Sequence, residues 1–211
     1  MLSIGIMGGT FNPIHNGHIE IAKAAYEQYN LDEVWFMPNH IPGYKDKTHL
    51  ISGEKRLAMV ELAIKDYPYF KTSDFELKRE GNTYTAETMQ LLGKEYPNIH
   101  FYFIIGEDSL NYFDKWKEPE TILAYSDILV APRDESSTDS MQKRITELHE
   151  MYGNNHFFPI ICPKIDCSSS ELREKLILIQ NESTKLDFKQ SIPYLNQDVF
   201  SYIIQNELYK N

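Results

Sequence analysis

The chain predicts an α/β fold: a doubly wound, mostly parallel sheet with helices on both faces and a small C-terminal helical extension. Three observations carry this. Short apolar runs of strand length alternate with segments whose apolar residues recur at helical spacing, and such alternation folds through right-handed crossovers into a parallel sheet. The run His100 to Ile105 (His-Phe-Tyr-Phe-Ile-Ile) is apolar enough to be a central strand buried on both faces. Glycine- or proline-bearing turns follow the strands, at the carboxyl edge where open α/β sheets bind ligands.

Taken in order, Leu2 to Met7 is a buried-strand run, and Ile19 to Tyr29 has helical spacing, with Asn16 or Gly17 opening the helix. Glu33 to Met37 is β-rich and ends at Pro38, giving a second strand. Residues 39–47 form a proline- and glycine-punctuated loop on the ligand side, in which Lys45 and Lys47 are candidate phosphate ligands. Ser52 is a plausible N-cap for a helix over 53–66, on which Arg56 sits. Tyr69 to Leu77 alternates imperfectly and reads as a third strand. Thr83 or Thr85 is placed to cap a helix running through Leu91, Leu92 and Tyr96.

The central strand ends at Gly106, followed by Asp108 at a helix start and by Trp116, a planar surface able to stack on an aromatic ring. Ser126 to Ala131 is a fifth strand ending in Pro132-Arg133, and residues 134–140 are a polar loop before a helix over 141–152. Phe157 to Cys162 is a last short strand, and a helix follows Asp166-Cys167-Ser168-Ser169-Ser170-Glu171-Leu172-Arg173. The tail has a turn at Ile192-Pro193 and a helix over 196–208. No repeat or low-complexity linker divides the chain, so one domain over 1–211 is expected, with a Rossmann-like winding.

The 31 acidic residues against 21 Lys plus Arg, a net charge of −10, disfavour a nucleic-acid or anionic-membrane surface. The two cysteines, Cys162 and Cys167, have no companions at metal spacing, so neither a disulfide framework nor a zinc site is expected. No leader-like or membrane-length apolar segment is present, and a cytoplasmic protein is expected. The sequence leaves a homodimer open.

The chemistry concentrates in Gly8-Gly9-Thr10-Phe11-Asn12-Pro13-Ile14-His15-Asn16-Gly17-His18, a strand-turn-helix junction. Gly8 and Gly9 allow backbone amides to approach an anion and can adopt positive φ, the helix start attracts phosphate, and His15 and His18 can face the same ligand. The serine-rich turn ending in Arg173 is a second anion site of the same kind. No G-x-S-x-G elbow, Ser-His-Asp set or activated cysteine is visible, so a covalent nucleophile is not expected. Phosphate donors, an acidic side chain and aromatic planes suit direct in-line phosphoryl transfer, in which preorganised donors supply about 10²–10³ in rate each.

The pattern Gly9-x-Phe11-x-Pro13-x-His15-x-Gly17-His18 resembles the nucleotidyltransferase superfamily signature. Cys167 to Arg173 resembles its I-S-S-T-x-[IL]-R motif, with Ser170 for threonine and Cys167 at an aliphatic position. Together with Thr83-Tyr84-Thr85, Ile105-Gly106-Glu107-Asp108 and Trp116, the chain is similar over nearly its whole length to the bacterial nicotinate-mononucleotide adenylyltransferases. The resemblance implies adenylyl transfer from ATP to nicotinate mononucleotide with Mg²⁺ arriving on ATP, giving deamido-NAD and pyrophosphate on the route to NAD.

It further implies that Gly8, Gly9, Thr10 and Phe11 line the nucleotide cleft and that His15 and His18 contact ATP phosphates, His18 meeting the transition state. Gly106 and Asp108 would hold adenosine; Ser168, Ser169 and Arg173 would hold the triphosphate. Trp116 would stack on the pyridine ring, amides near Thr85 and Tyr112 would receive its carboxylate, and Lys45 would meet phosphate. Alternatives are a pantetheine-phosphate adenylyltransferase or cytidylyltransferase, a non-catalytic nucleotide-binding module, and a metallohydrolase using His15, His18 and His40.

Overall fold

The computed structural model describes residues 1–40, 50–132, 138–153, 155–163, 167–181 and 192–210. Six strands form one sheet in the order β3-β2-β1-β4-β5-β6: β1 (Leu2–Gly9), β2 (Glu33–Pro38), β3 (Phe70–Thr72), β4 (Ile99–Gly106), β5 (Ser126–Ala131) and β6 (Phe157–Pro159). Every pairing is parallel, a stricter arrangement than the mostly parallel sheet expected. The helices are α1 (Asn16–Gln28), α2 (Gly53–Ile64), α3 (Thr85–Glu95), α4 (Glu107–Leu110), α5 (Pro119–Tyr125), α6 (Thr138–Tyr152), α7 (Ser169–Asn181) and α8 (Gln197–Gln205), with a 3₁₀ turn at Phe113–Lys115.

The period-2 alternation of the strands sorts side chains into two cores. Ile4, Ile6, Phe101, Phe103, Ile105, Ile128 and Val130 face one way and pack with residues of α3, α4, α5 and α6. Met7, Phe36, Ile104 and Leu129 face the other way and pack with α1, α2, α7 and α8. Both sides of β1 and β4 are therefore covered, which is why these strands read as continuous apolar runs.

The predicted third strand shrinks to Phe70–Thr72, because the chain turns back over Asp74 to Arg79, where the Lys78 and Arg79 amides donate to the Asp74 and Glu76 carbonyls. The last strand stops at Pro159, short of the Cys162 expected, and its final bond to β5 is the Ile160 N–H donating to the Val130 carbonyl at 2.7 Å. Helix α5 was not foreseen; its mark in the sequence is Pro119 at the first helical position. The C-terminal extension is integral: Val199 and Ile203 of α8 are fully buried in the core shared with α2. No helix among the described residues is long and apolar enough to cross a membrane.

Candidate active site

From β1 the chain winds outward through β2 to β3, then returns to β4 on the other side of β1. Crossovers that leave β1 and enter β4 lie on opposite faces, so a crevice opens at the carboxyl ends of these two strands. The segments 8–18 and 106–116 both leave the sheet there.

Gly8 and Gly9 close β1, and neither adopts the positive φ allowed for in the sequence reading. Their lack of a side chain makes room instead: a Cβ on Gly8 would lie 3.0 Å from the Phe103 ring, and one on Gly9 would lie 3.0 Å from the Phe11 ring. The left-handed residue is Phe11, with φ 48°, and its buried ring meets the His18 imidazole edge-on at 5.1 Å.

His15 and His18 lie together, with ring centroids 3.8 Å apart. The His15 N–H donates to His18 Nδ1 at 3.2 Å, and the His18 N–H donates to the His15 carbonyl at 3.0 Å. Because Nδ1 of His18 accepts, its neutral ring carries the proton on Nε2, which makes that atom a donor. His15 is only 9% exposed, its Nδ1 has no protein partner, and burial pushes its pKa down to about 4. At neutral pH it is an uncharged imidazole.

The serine-rich turn docks onto this junction. Ser169 Oγ donates to the Pro13 carbonyl at 3.0 Å, and Arg173 Nη1 donates to the Asn12 carbonyl at 2.8 Å. Arg173 Nη2 donates to Ser170 Oγ at 3.1 Å, which fixes the guanidinium against the first turn of α7. Ser168 caps that helix: its Oγ accepts from the Glu171 N–H, and its own N–H donates to the Glu171 carboxylate, each at 3.2 Å. The two predicted anion sites are thus one surface.

Across the crevice, Gly106 is the N-cap of α4 and is exposed, with no atom within 4 Å of where a Cβ would stand. Asp108 is exposed in the first turn, while its neighbour Glu107 is buried and accepts from Ser140 Oγ at 2.9 Å. Trp116 is half-buried, tilted against Phe113 at 5.4 Å and edge-on to Phe103 at 6.3 Å. It is therefore part core and part surface. Tyr112 is 60% exposed.

Helix α3 starts beside this loop: the Lys117 ammonium lies 4.4 Å over the Tyr84 ring. Tyr84 is the N-cap and has no side-chain cap bond, which corrects the expectation of a threonine cap. Thr83 turns its hydroxyl to Glu76 instead, at 2.8 Å, and Thr85 is the first helical residue. The amides of the first turn are left without a side-chain acceptor.

Three residues central to the geometry did not stand out in the sequence. Arg56 is 1% exposed, and its guanidinium donates to the carbonyls of Thr10 at 2.8 Å, Asn39 at 2.7 Å, His40 at 3.0 Å and Ile51 at 3.0 Å. Burial lowers its pKa from the ordinary arginine value. Its signal was an arginine on the same buried stripe as Met59, Val60 and Ala63. Asn39 donates through Nδ2 to Thr10 Oγ1 at 3.4 Å and through its backbone to Gly9 at 2.9 Å, tying the ends of β1 and β2. Tyr209 donates to Asn12 Oδ1 at 2.8 Å, and burial raises its pKa; no local pattern announces that contact.

Lys45, Lys47 and Arg133 lie outside the described residues. Among those described, no group of three or more His, Cys, Asp or Glu converges as a metal site, and burial pushes the Cys162 thiol up, away from thiolate chemistry.

Residues 6–175 match the cytidylyltransferase-like family. A probable nicotinate-nucleotide adenylyltransferase of Lachnoclostridium phytofermentans is 46% identical over 210 residues, covering 99% of this chain and 100% of that protein. Another, from Bacillus cytotoxicus, is 39% identical over 100% of both chains. Among solved structures, the nicotinic acid mononucleotide adenylyltransferase of Plasmodium falciparum, complexed with APC, superposes with a TM-score of 0.76 at 21% identity, covering 99% of this chain and 98% of that one. At that identity the likeness speaks for the fold.

Proposed function

The chain belongs to the cytidylyltransferase-like family and, within it, to the nicotinate-nucleotide adenylyltransferases, and we propose that its own residues carry out the reaction by direct in-line displacement in the crevice between β1 and β4. The enzyme forms deamido-NAD in NAD biosynthesis from ATP and nicotinate mononucleotide. A phosphate oxygen of the mononucleotide attacks the α-phosphorus of ATP, the bond from that phosphorus to the bridging oxygen breaks, and pyrophosphate leaves with the electron pair. No bond to the protein forms at any stage.

What supports this reading is that the paired imidazoles and the docked Ser169–Arg173 turn lie together after β1, while the Trp116 loop, which follows β4, lies against the uncapped start of α3. Gly8, Gly9, Thr10 and Phe11 line the nucleotide cleft, and His15 and His18 meet the phosphates. His18 donates from Nε2 to charge building on the α-phosphate in the transition state. Arg173, with Ser168 and Ser169 at the start of α7, holds the β,γ-phosphates at a helix N-terminus. Gly106 and Asp108 receive the adenosine. Trp116 stacks on the pyridine, and backbone N–H groups near Thr85 and Tyr112 donate to its carboxylate; Lys45 contributes to phosphate binding.

Amides, imidazoles and a guanidinium fit oxyanions, so Mg²⁺ fits here as a partner of the triphosphate. Bound there, it would supply positive charge against the triphosphate and the departing pyrophosphate. The whole of 1–211 acts as one nucleotidyltransferase domain.

The test is pyrophosphate release with ATP plus either mononucleotide. The acid should turn over well ahead of nicotinamide mononucleotide, and equal rates would overturn the assignment of helix-start amides to the pyridine carboxylate. In the same assay His18→Ala should lower kcat by about 10²–10³ while moving the KM for nicotinate mononucleotide little. An unchanged kcat would remove His18 from its role.

A further inference from the structure

Behind the start of α3 lies a buried polar cluster that the reaction itself does not use. Glu76, 9% exposed, accepts the Thr83 hydroxyl at 2.8 Å on one carboxylate oxygen and the Thr88 hydroxyl at 2.7 Å on the other. Thr88 is fully buried, and its Oγ also accepts from Arg79 Nη1 at 2.9 Å. The other end of the Arg79 guanidinium is ion-paired with Glu87. A hydroxyl has one proton, so with Arg79 donating into Thr88 Oγ, the Thr88 proton is committed to Glu76.

The placement of these contacts along the chain matters. Thr83 precedes the N-cap Tyr84, Thr88 closes the first turn through its N–H to the Tyr84 carbonyl at 3.0 Å, and Thr85 to Glu87 lie between. Those three residues carry amides that the helix cannot satisfy internally. In an ordinary helix start the N-cap side chain would take one of them; here that side chain lies under Lys117. The first turn carries no capping side chain and is pinned on both flanks by a single carboxylate.

We propose that Glu76, Thr83 and Thr88 are positioning residues that fix the α3 amides for a planar carboxylate, and so set the enzyme's preference for the acid over the amide of its pyridine substrate. The proposal rests on the reading that the start of α3 receives the pyridine carboxylate. A carboxylate offers only acceptors, whereas a carboxamide turns N–H toward N–H, and rejection of the amide depends on the amides being unable to yield. Rigid placement of the donors from behind, without a side chain competing for them, meets that requirement.

The test is steady-state kinetics with ATP and with both mononucleotides on Thr88→Val, Thr88→Ser and Thr83→Ala. Thr88→Val should raise the KM for nicotinate mononucleotide roughly tenfold, leave the KM for ATP within about twofold, and narrow the acid-to-amide ratio of kcat/KM by a similar factor. Thr88→Ser, which restores the hydroxyl, should recover most of both. Thr83→Ala removes the less buried arm, moves the same quantities by a smaller factor, and decides the matter if Thr88→Val does not fold. An unchanged acid-to-amide ratio in the folded variants, or KM values for ATP and mononucleotide that rise together, would overturn the proposal. Amide resonances of Thr85 and Ala86 in the wild-type protein, followed as nicotinate mononucleotide is added, separate the two ideas. No shift there sinks the underlying assignment of the carboxylate; a shift there with an unmoved ratio in the variants sinks the bracing alone.

Discussion

His15 shows how far a residue's surroundings can change what its type suggests. An imidazole between a glycine-bearing turn and a helix start invites the assumption of a cation, yet burial holds this one near pKa 4, against 6.5 for an unperturbed histidine. The sign of the resulting pH dependence follows directly. The unfolded chain takes up the proton below about pH 6.5 and the folded chain only near pH 4, so stability is unaffected above this window and falls as pH drops through it. Between pH 7.5 and pH 5 the loss amounts to about 2 kcal/mol. Urea unfolding of the wild type and of His15→Asn at these two pH values should show the variant losing about that much less; equal losses would show that the buried imidazole is not the source. Both histidines and their spacing were legible in the sequence. Their division into a buried neutral ring and a half-exposed donor ring was not, because it depends on Phe11 and on the edge of the core packing around them.

At the scale of elements, the junction between β1 and α1 does not hold its shape alone. Arg56, projecting from α2, binds the carbonyls of Thr10, Asn39, His40 and Ile51, so the exits of β1 and β2 are fastened to one guanidinium. Four carbonyls in a buried setting need those donors, and a shorter or neutral side chain strands some of them. Arg56→Gln should therefore cost at least about 3 kcal/mol in a denaturant titration. Arg56→Lys, which keeps the charge without the planar fork, should recover only part of that. A loss below about 1 kcal/mol for Arg56→Gln would show that the carbonyls find other partners. The local signals here were mixed: the strand, turn and helix of 2–28 were readable from composition and periodicity, whereas the third strand was overestimated. Residues 74–77 have strand-like alternation, but Glu76 is drawn inward by the hydroxyls of Thr83, just before α3, and of Thr88 within it, and the chain turns to deliver it.

For the whole molecule, the two ends of the chain meet at the site. Tyr209 donates to Asn12 Oδ1 at 2.8 Å, and the Ile51 amide donates to the same oxygen at 3.3 Å. The C-terminal segment thereby backs the β1–α1 junction, with Val199 and Ile203 seated in the core beneath it. Tyr209→Phe keeps the packing and removes one buried hydrogen bond, so it should lower stability by about 1 kcal/mol, a drop of about 2–4 °C in Tm for a chain of this size. An unshifted Tm in calorimetry would show that the contact contributes nothing. By itself the sequence determined the alternating winding, the strand edge at which the glycine- and histidine-bearing motif lies, and the nucleotidyltransferase chemistry, because periodicity, turn residues and a compact motif are written in neighbouring positions. Only the tertiary structure decided which donors serve the protein and which face the crevice, how deeply His15 and Arg56 are buried, and what braces the start of α3. Those properties come from segments distant in the chain, such as Ser169 on Pro13 or Tyr209 on Asn12, and desolvation is set by whatever packs against a group rather than by its neighbours in sequence.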